Sequence, residues 1–325
     1  MDASASTWQR AHMAQLEPRG DVLPPSGEQV QLTHGDRALT VVTVGGGIRS
    51  YTAGGHDVVD GYGEDAMADG ARGQTLIPWP NRVRDGKWTW DGTEHQLALT
   101  EPDKHNAIHG LVRWLGWRVA ERAAGSCALA CTSWPQIGYP WALDVDVRYE
   151  LGDDGLTVTQ QVTNRGATPA PVAAGAHPYL TVGTAIVDEA VLRVPADRWI
   201  ETGEQQIPTG VRDVSGTPYD FRRSRPIGDT KIDFTFTELH RDEAGRFALR
   251  LEHPDGGRSV ELWVDEAYPY VEVFTGDTLP DRSRRRRGLG VEPMTAPPNA
   301  LASGDSLVVL DPGETWSGRW GVRGS

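Results

Sequence analysis

The sequence predicts an all-β protein built as a large sandwich or barrel, and three observations predict it. Apolar and polar residues alternate with a period of two in many short runs, the signature of half-buried strands. Turn signals punctuate those runs at short intervals. The 325 residues include 38 glycines and 22 prolines, a composition that favours many turns over long helices.

Residues 1–27 read as a tail, with Pro18, Gly20, Pro24, Pro25 and Gly27 breaking any long element. Ser6 is placed to cap a short helix carrying Trp8, Ala11 and Leu16. Residues 28–325 read as one domain, because no shift of composition marks a boundary. Ala38–Val44 alternates as a strand. Gly45-Gly46-Gly47 then runs into Ile48-Arg49-Ser50, which continues as strand, so it is a bulge or turn and lacks the helix a phosphate loop needs. Lys87–Leu97 reads as a hairpin around Asp91-Gly92. Ala142–Leu151 and Leu156–Thr163 flank the turn Asp153-Asp154-Gly155. Val260–Val264, Val271–Thr275 and Ser306–Leu310 complete the set, with further turns at Asp255-Gly256-Gly257 and Asp311-Pro312-Gly313.

Composition excludes several classes. An apolar fraction of 38% is ample for a buried core and argues against whole-chain disorder. Thirty-two basic against 45 acidic residues give a net charge of −13, a field that repels phosphate backbones and anionic membranes, so nucleic-acid and membrane partners are not expected. No run approaches the roughly 20 apolar residues that span a bilayer. The N-terminus MDASASTWQR has no basic region followed by an apolar stretch, so no secretory signal is expected. Cys127 and Cys131 on one strand would stand about 13 Å apart, too far for a disulfide. They read as reduced thiols of a cytoplasmic protein.

Four segments wedge polar residues among Pro, Gly and aromatics where alternation breaks down: Leu76–Val83, Asn106–Arg113, Gly175–Leu180 and Gly290–Asn299. His177, between Ala176 and Pro178, is a candidate general acid or base, or a hydrogen-bonded loop histidine. Glu292 follows Leu-Gly-Val and precedes Pro293, which makes it either a desolvated base or an edge glutamate facing water. His109 carries the same ambiguity. Arg82, after Asn81, offers a donor fork for hydroxyls or carboxylates, with a structural salt bridge as the alternative. Trp79 could stack on a sugar ring. His105 and His109 are four apart, but Pro102, Asn106 and Gly110 surround them, so a zinc site is a weak reading and no metal is expected. The sequence has no Gly-x-Ser-x-Gly nucleophile elbow. The run Arg282, Arg284–Arg287 reads as a mobile, solvated loop rather than a nucleic-acid patch.

Together these segments resemble the aldose 1-epimerase (galactose mutarotase) family over roughly residues 28–323. The pieces come in the family's order: Gly46-Gly47, Pro78–Val83, the Trp88–Trp90 hairpin, Asn106–Gly110, His177-Pro178-Tyr179, Val291–Pro298 and the closing Leu310–Gly313. The resemblance implies a β-supersandwich of two large antiparallel sheets with the site in a concave groove. It implies interconversion of the α and β anomers of a free aldohexose, without metal or organic cofactor. The protein is expected to be a monomer or weak dimer. Carried over, His177 would be the general acid and Glu292 the general base. Asn81, Arg82 and His109 would bind sugar hydroxyls, Asp233 would accept from two of them, and Tyr179 would line the pocket. The chain departs from the family pattern after His109, where Gly110 is followed by Leu111-Val112-Arg113, and after Tyr179, where Leu180-Thr181 stand. Both places imply an altered pocket rim. The competing readings are an epimerase for a phosphorylated or modified sugar, a non-catalytic carbohydrate-binding protein, and a glycosidase with Glu292 and Asp233 as its carboxyl pair.

Overall fold

The computed structural model describes residues 23–325, so the helix expected near Ser6 lies outside the described residues. Alternation dictates the architecture. In Leu143–Gly152 every second residue is buried, and this strand sits near one end of a nine-stranded antiparallel sheet. The order of that sheet is Arg118–Arg122, Ser126–Ser133, Leu143–Gly152, Gly155–Asn164, Thr315–Gly324, Ser259–Val264, Phe247–Glu252, Val191–Arg193 and Arg225–Pro226. A second, eight-stranded sheet runs Pro208–Asp213, Ala196–Thr202, Asp233–Leu239, Tyr270–Phe274, Leu289–Met294, Gly175–Ala176 and Thr75–Leu76, with Tyr179–Leu180 pairing Leu289–Met294 off this path. A four-stranded sheet opens the described chain, from Gln29–His34 to His56–Asp57. Ala300–Ser303 is the one α-helical turn among the described residues.

The main apolar core takes Val145, Val147, Val158 and Trp320 from the large sheet and Val271, Val273 and Val291 from the second. Buried Gln160 ties the two together: its Nε2 donates to the Gly175 carbonyl (3.0 Å) and its Oε1 accepts from the Tyr268 hydroxyl (2.9 Å). All six residues of Leu289–Met294 are buried. One face of that strand packs into the core through Val291, and the other carries Glu292 to the groove.

The hairpin forms as expected, Lys87–Trp90 pairing with Thr93–Gln96. Asp91 and Gly92 both take positive φ, 46° and 75°, as a type I′ turn requires. Cys127 and Cys131 share the strand Ser126–Ser133 as free thiols.

The arginine run corrects the expectation of a solvated loop. Arg284 pairs with Asp60 (3.1 Å), Arg286 pairs with Asp188 (2.6 Å) and Asp277 (2.9 Å), and Arg285 donates to the Leu279 carbonyl (2.7 Å). Arg284, Arg285 and Arg286 are only partly exposed. Their anionic partners come mostly from segments far away in sequence, so the run alone could not show them.

Candidate active site

Strand alternation also builds the groove. Opposite the core-facing valines, Asp233 and Thr235, Glu272 and Phe274, and Gly290 and Glu292 leave three adjacent strands on one face. Register sets Thr235 against Glu272 and Glu272 against Glu292, a row across the sheet. This face floors a cavity of about 570 Å³ whose walls include Asn81, Arg82, His109, Arg113, Trp114, His177 and Tyr179. All seven residues expected at the site therefore meet in one place.

His177 is held by its backbone. Its N–H donates to the Gln74 carbonyl (3.1 Å) and its carbonyl accepts from Gly73 (2.8 Å). Its ring lies flat on Tyr179, 4.9 Å between centroids at 8°, and meets the His109 ring edge-on at 5.3 Å. Tyr179 is fixed from below. Its hydroxyl donates to the Gly70 carbonyl (3.0 Å), and the Arg72 guanidinium stands 4.0 Å from its ring. Arg72, 2% exposed, is in turn paired with Asp60 at 2.8 Å and Asp69 at 3.2 Å. Gly290 lies against two side chains of the site wall: a Cβ there would be tight against Phe274 Cβ at 3.2 Å and in contact with His177 Cε1 at 3.4 Å.

His177 Nε2 and Glu292 Oε1 lie 3.1 Å apart, both side chains almost completely buried. Burial pushes the Glu292 carboxyl well above the usual range, helped by the Glu272 charge beside it. Burial, and then the Arg72 charge, hold His177 well below the usual imidazole range. A 3.1 Å contact alone would suggest an ion pair, but both shifts favour neutral partners, and desolvation of two charges decides it. Between these two groups the proton therefore belongs to the Glu292 carboxyl, and the imidazole is neutral. Moved to the imidazole, the same proton creates acid and base together. Glu292 Oε2 and His177 Nδ1 bond to nothing else among the described residues.

Asn81 and His109 brace each other. The His109 amide donates to the Asn81 carbonyl (2.9 Å), and the Asn81 amide donates to His109 Nδ1 (3.2 Å). Both residues take positive φ, 55° and 63°, a strained conformation of the kind functional sites store. Gly110 follows at φ 71°, and a Cβ there would fall 2.2 Å from the Ile77 carbonyl oxygen. Arg82 is both things the sequence allowed. Its fork donates to Glu101 at 2.8 and 3.0 Å, and the same side chain lines the groove. Burial is the largest influence and opposes its charge, yet the Glu101 hydrogen bonds together with the charges of Asp233, Glu101 and Glu272 outweigh it and hold its pKa above the ordinary value. Asp233 accepts from Gln206, and burial pushes its carboxyl up.

Some expectations are corrected. Trp79 is 2% exposed and packs near Tyr139 (6.4 Å) as part of the apolar core, away from the groove. Trp114, 46% exposed at the rim, is the aromatic available to a ligand. His105 is exposed while His109 is buried, since His105 takes φ 55° at the end of a tight turn and points elsewhere. His109 instead joins His177 and Glu292, whose ligand atoms lie within 4.8 Å of one another. That spacing would suit a divalent cation. In this structure His177 Nε2 and Glu292 Oε1 face each other, and His109 Nδ1 accepts from Asn81. Sequence reading missed Glu272 and Arg72. Glu272 sits in an alternating strand where a glutamate facing water looks identical, and nothing marks Arg72 among the chain's other arginines.

Comparison with known proteins gives a consistent picture. The family model described as aldose 1-epimerase matches residues 28–323. The protein YihR of Escherichia coli K12, which carries the description uncharacterized, is 36% identical over 290 residues, covering 89% of this chain and 91% of its own. Galactose mutarotase of Bos taurus is 26% identical over 249 residues, covering 73% and 70%. The crystal structure of a GalM/aldose epimerase homologue from C. elegans superposes with a TM-score of 0.81 at 20% identity, over 92% of this chain and 98% of that one. Galactose 1-epimerase from Lactobacillus acidophilus gives 0.77 at 20% identity, over 91% and 94%, and at this identity both superpositions speak to the fold.

Proposed function

The chain belongs to the aldose 1-epimerase family, and we propose that it interconverts the α and β anomers of a free aldohexose of the glucose or galactose type. The observation that carries this reading is the buried His177–Glu292 pair, with one further atom of each side chain left without a partner. Ring opening needs a proton taken from the anomeric hydroxyl and a proton given to the ring oxygen. Glu292 takes the first and His177, as imidazolium, gives the second. The C1–O5 bond breaks, the aldehyde turns about C1–C2, and the ring closes on the other face as both protons return. Each transfer by a placed side chain is worth about 10²–10⁴-fold. Asn81, Arg82, His109 and Asp233 fix the hydroxyls so that the two transfers align, and Tyr179 sets the plane of the imidazole. No covalent intermediate is needed, and the reading includes no metal or organic cofactor. We place the protein in the cytoplasm, as a monomer or weak dimer. Among the described residues no helix is long and apolar enough to cross a membrane.

Polarimetry of freshly dissolved α-D-glucose and α-D-galactose tests it. Decay to the equilibrium rotation should be faster than in protein-free buffer, and the two rates rank the sugars. A protein that binds either sugar without speeding its decay would be a carbohydrate-binding module instead.

One observation favours a second reading, an epimerase for an aldose bearing an anionic group. Arg113 lines the groove beside Trp114 (5.3 Å), has no acidic partner within salt-bridge reach among the described residues, and is held below its ordinary pKa by burial. It stands where the chain departs from the family pattern. On this reading Arg113→Gln lowers kcat/KM for an aldose phosphate relative to the parent aldose by about tenfold, the loss of one charged hydrogen bond. An unchanged ratio would remove it.

A further inference from the structure

The groove contains a second buried glutamate that the acid–base pair does not use. Glu272 is 2% exposed, Glu292 is 3% exposed, and they are direct partners on antiparallel strands. Side chains so paired leave the same face with Cβ atoms about 4.5–5.5 Å apart, and like charges there repel. Glu272 is also deliberately held. The Thr235 hydroxyl donates to its Oε2. Asp233 adds a third acidic group, and Arg82, the cation facing them, is already committed to Glu101. On the remaining sides stand His109 and His177, both kept uncharged by burial. Two adjacent carboxylates facing so little positive charge cannot both ionise cheaply.

We propose that Glu272 is a positioning residue that keeps a proton of its own, staying a neutral carboxyl while Glu292 passes its proton to His177 and acts as base, and donating that proton as a hydrogen bond to a hydroxyl of the bound sugar. The hydroxyl rests on the aldose reading, whereas the retained proton does not. Thr235 donates to Oε2, which leaves Oε1 to carry the proton. Burial and the Asp233 charge both push the Glu272 carboxyl up, in the direction that keeps it protonated at neutral pH. The working form has Glu292 ionised beside neutral Glu272, with the other proton on His177. At alkaline pH Glu272 loses its proton, the hydrogen-bond donor is lost, and two negative charges face each other, so activity falls.

pH profiles and infrared spectra test this. In wild type, the pH profile of kcat/KM for mutarotation should show an alkaline fall. In Glu272→Gln the fall, now set by the Glu292–His177 proton alone, should move to higher pH, and kcat/KM at neutral pH should drop about 5-fold, the worth of one altered hydrogen bond. In Thr235→Val, which removes a donor that stabilises ionised Glu272, the fall should also move to higher pH. Independently of turnover, infrared spectra of protein with isotope-labelled glutamate should show protonated carboxyl intensity at neutral pH that is lost in two alkaline steps, and one step should remain in Glu272→Gln. An alkaline fall that persists unchanged in Glu272→Gln overturns the proposal, as does a wild-type spectrum with at most one protonated glutamate at neutral pH. Were wild type not to accelerate mutarotation, the aldose reading would fail, and the infrared result would still decide whether Glu272 keeps its proton.

Discussion

Glu292→Gln will lower kcat for mutarotation by about 10²–10⁴-fold while leaving the fold intact. The amide keeps the shape of the side chain and its place opposite Glu272 but cannot take the anomeric proton. Near-UV circular dichroism and a thermal melt separate this from unfolding. Stability should move the other way. The folded Glu292 carboxyl titrates above its unfolded value, so the stability it contributes is present in acid and is lost as pH rises through the ordinary carboxylate range towards the raised one. An amide never ionises. The variant should therefore melt higher than wild type at neutral and alkaline pH, and the gap should close towards pH 4. Turnover at the wild-type rate would remove Glu292 from the role of base.

The second large effect is His177→Asn, again with kcat reduced by about 10²–10⁴-fold. Asparagine can hydrogen-bond to Glu292 but cannot carry a proton to the ring oxygen. It also gives up the flat contact with Tyr179. The pH dependence of stability is opposite in sign to that of Glu292. The buried imidazole titrates below its unfolded value, so its contribution is present above about pH 6.5 and is lost as pH falls through the depressed folded value. Melting temperatures measured from pH 7 down to 4.5 should fall less steeply in His177→Asn than in wild type. Equal slopes would mean that the imidazole titrates alike in the folded and unfolded protein.

How far the site was legible can be judged residue by residue. His177, Glu292, Asn81, Arg82 and His109 stood out because alternation stops where they occur, among prolines and glycines that a regular strand excludes. Asp233 and Tyr179 came from the family resemblance. Glu272 was invisible for the opposite reason. Its strand alternates without a break, and Val-Glu-Val-Phe reads the same whether the glutamate faces water or the floor of a groove. Trp79 misled because an aromatic beside a polar loop looks like a stacking surface until its packing is known. The arginine run misled because two of its three acidic partners, Asp60 and Asp188, lie on segments about a hundred or more residues away.

By itself the sequence determined the period-two burial of the strands, the turn at Asp91-Gly92, the absence of a disulfide between Cys127 and Cys131, and the set of loops from which the acid and base are drawn. These are local properties, fixed by side-chain direction along an extended chain and by which residues tolerate positive φ. Tertiary structure decided which carboxyls face each other, which histidine meets Glu292, and which cations are already paired. Those depend on strand register and on burial. Register brings Glu272 and Glu292 together across 20 positions of sequence, and burial turns that meeting into a contest over protons that the same groups in water would not have.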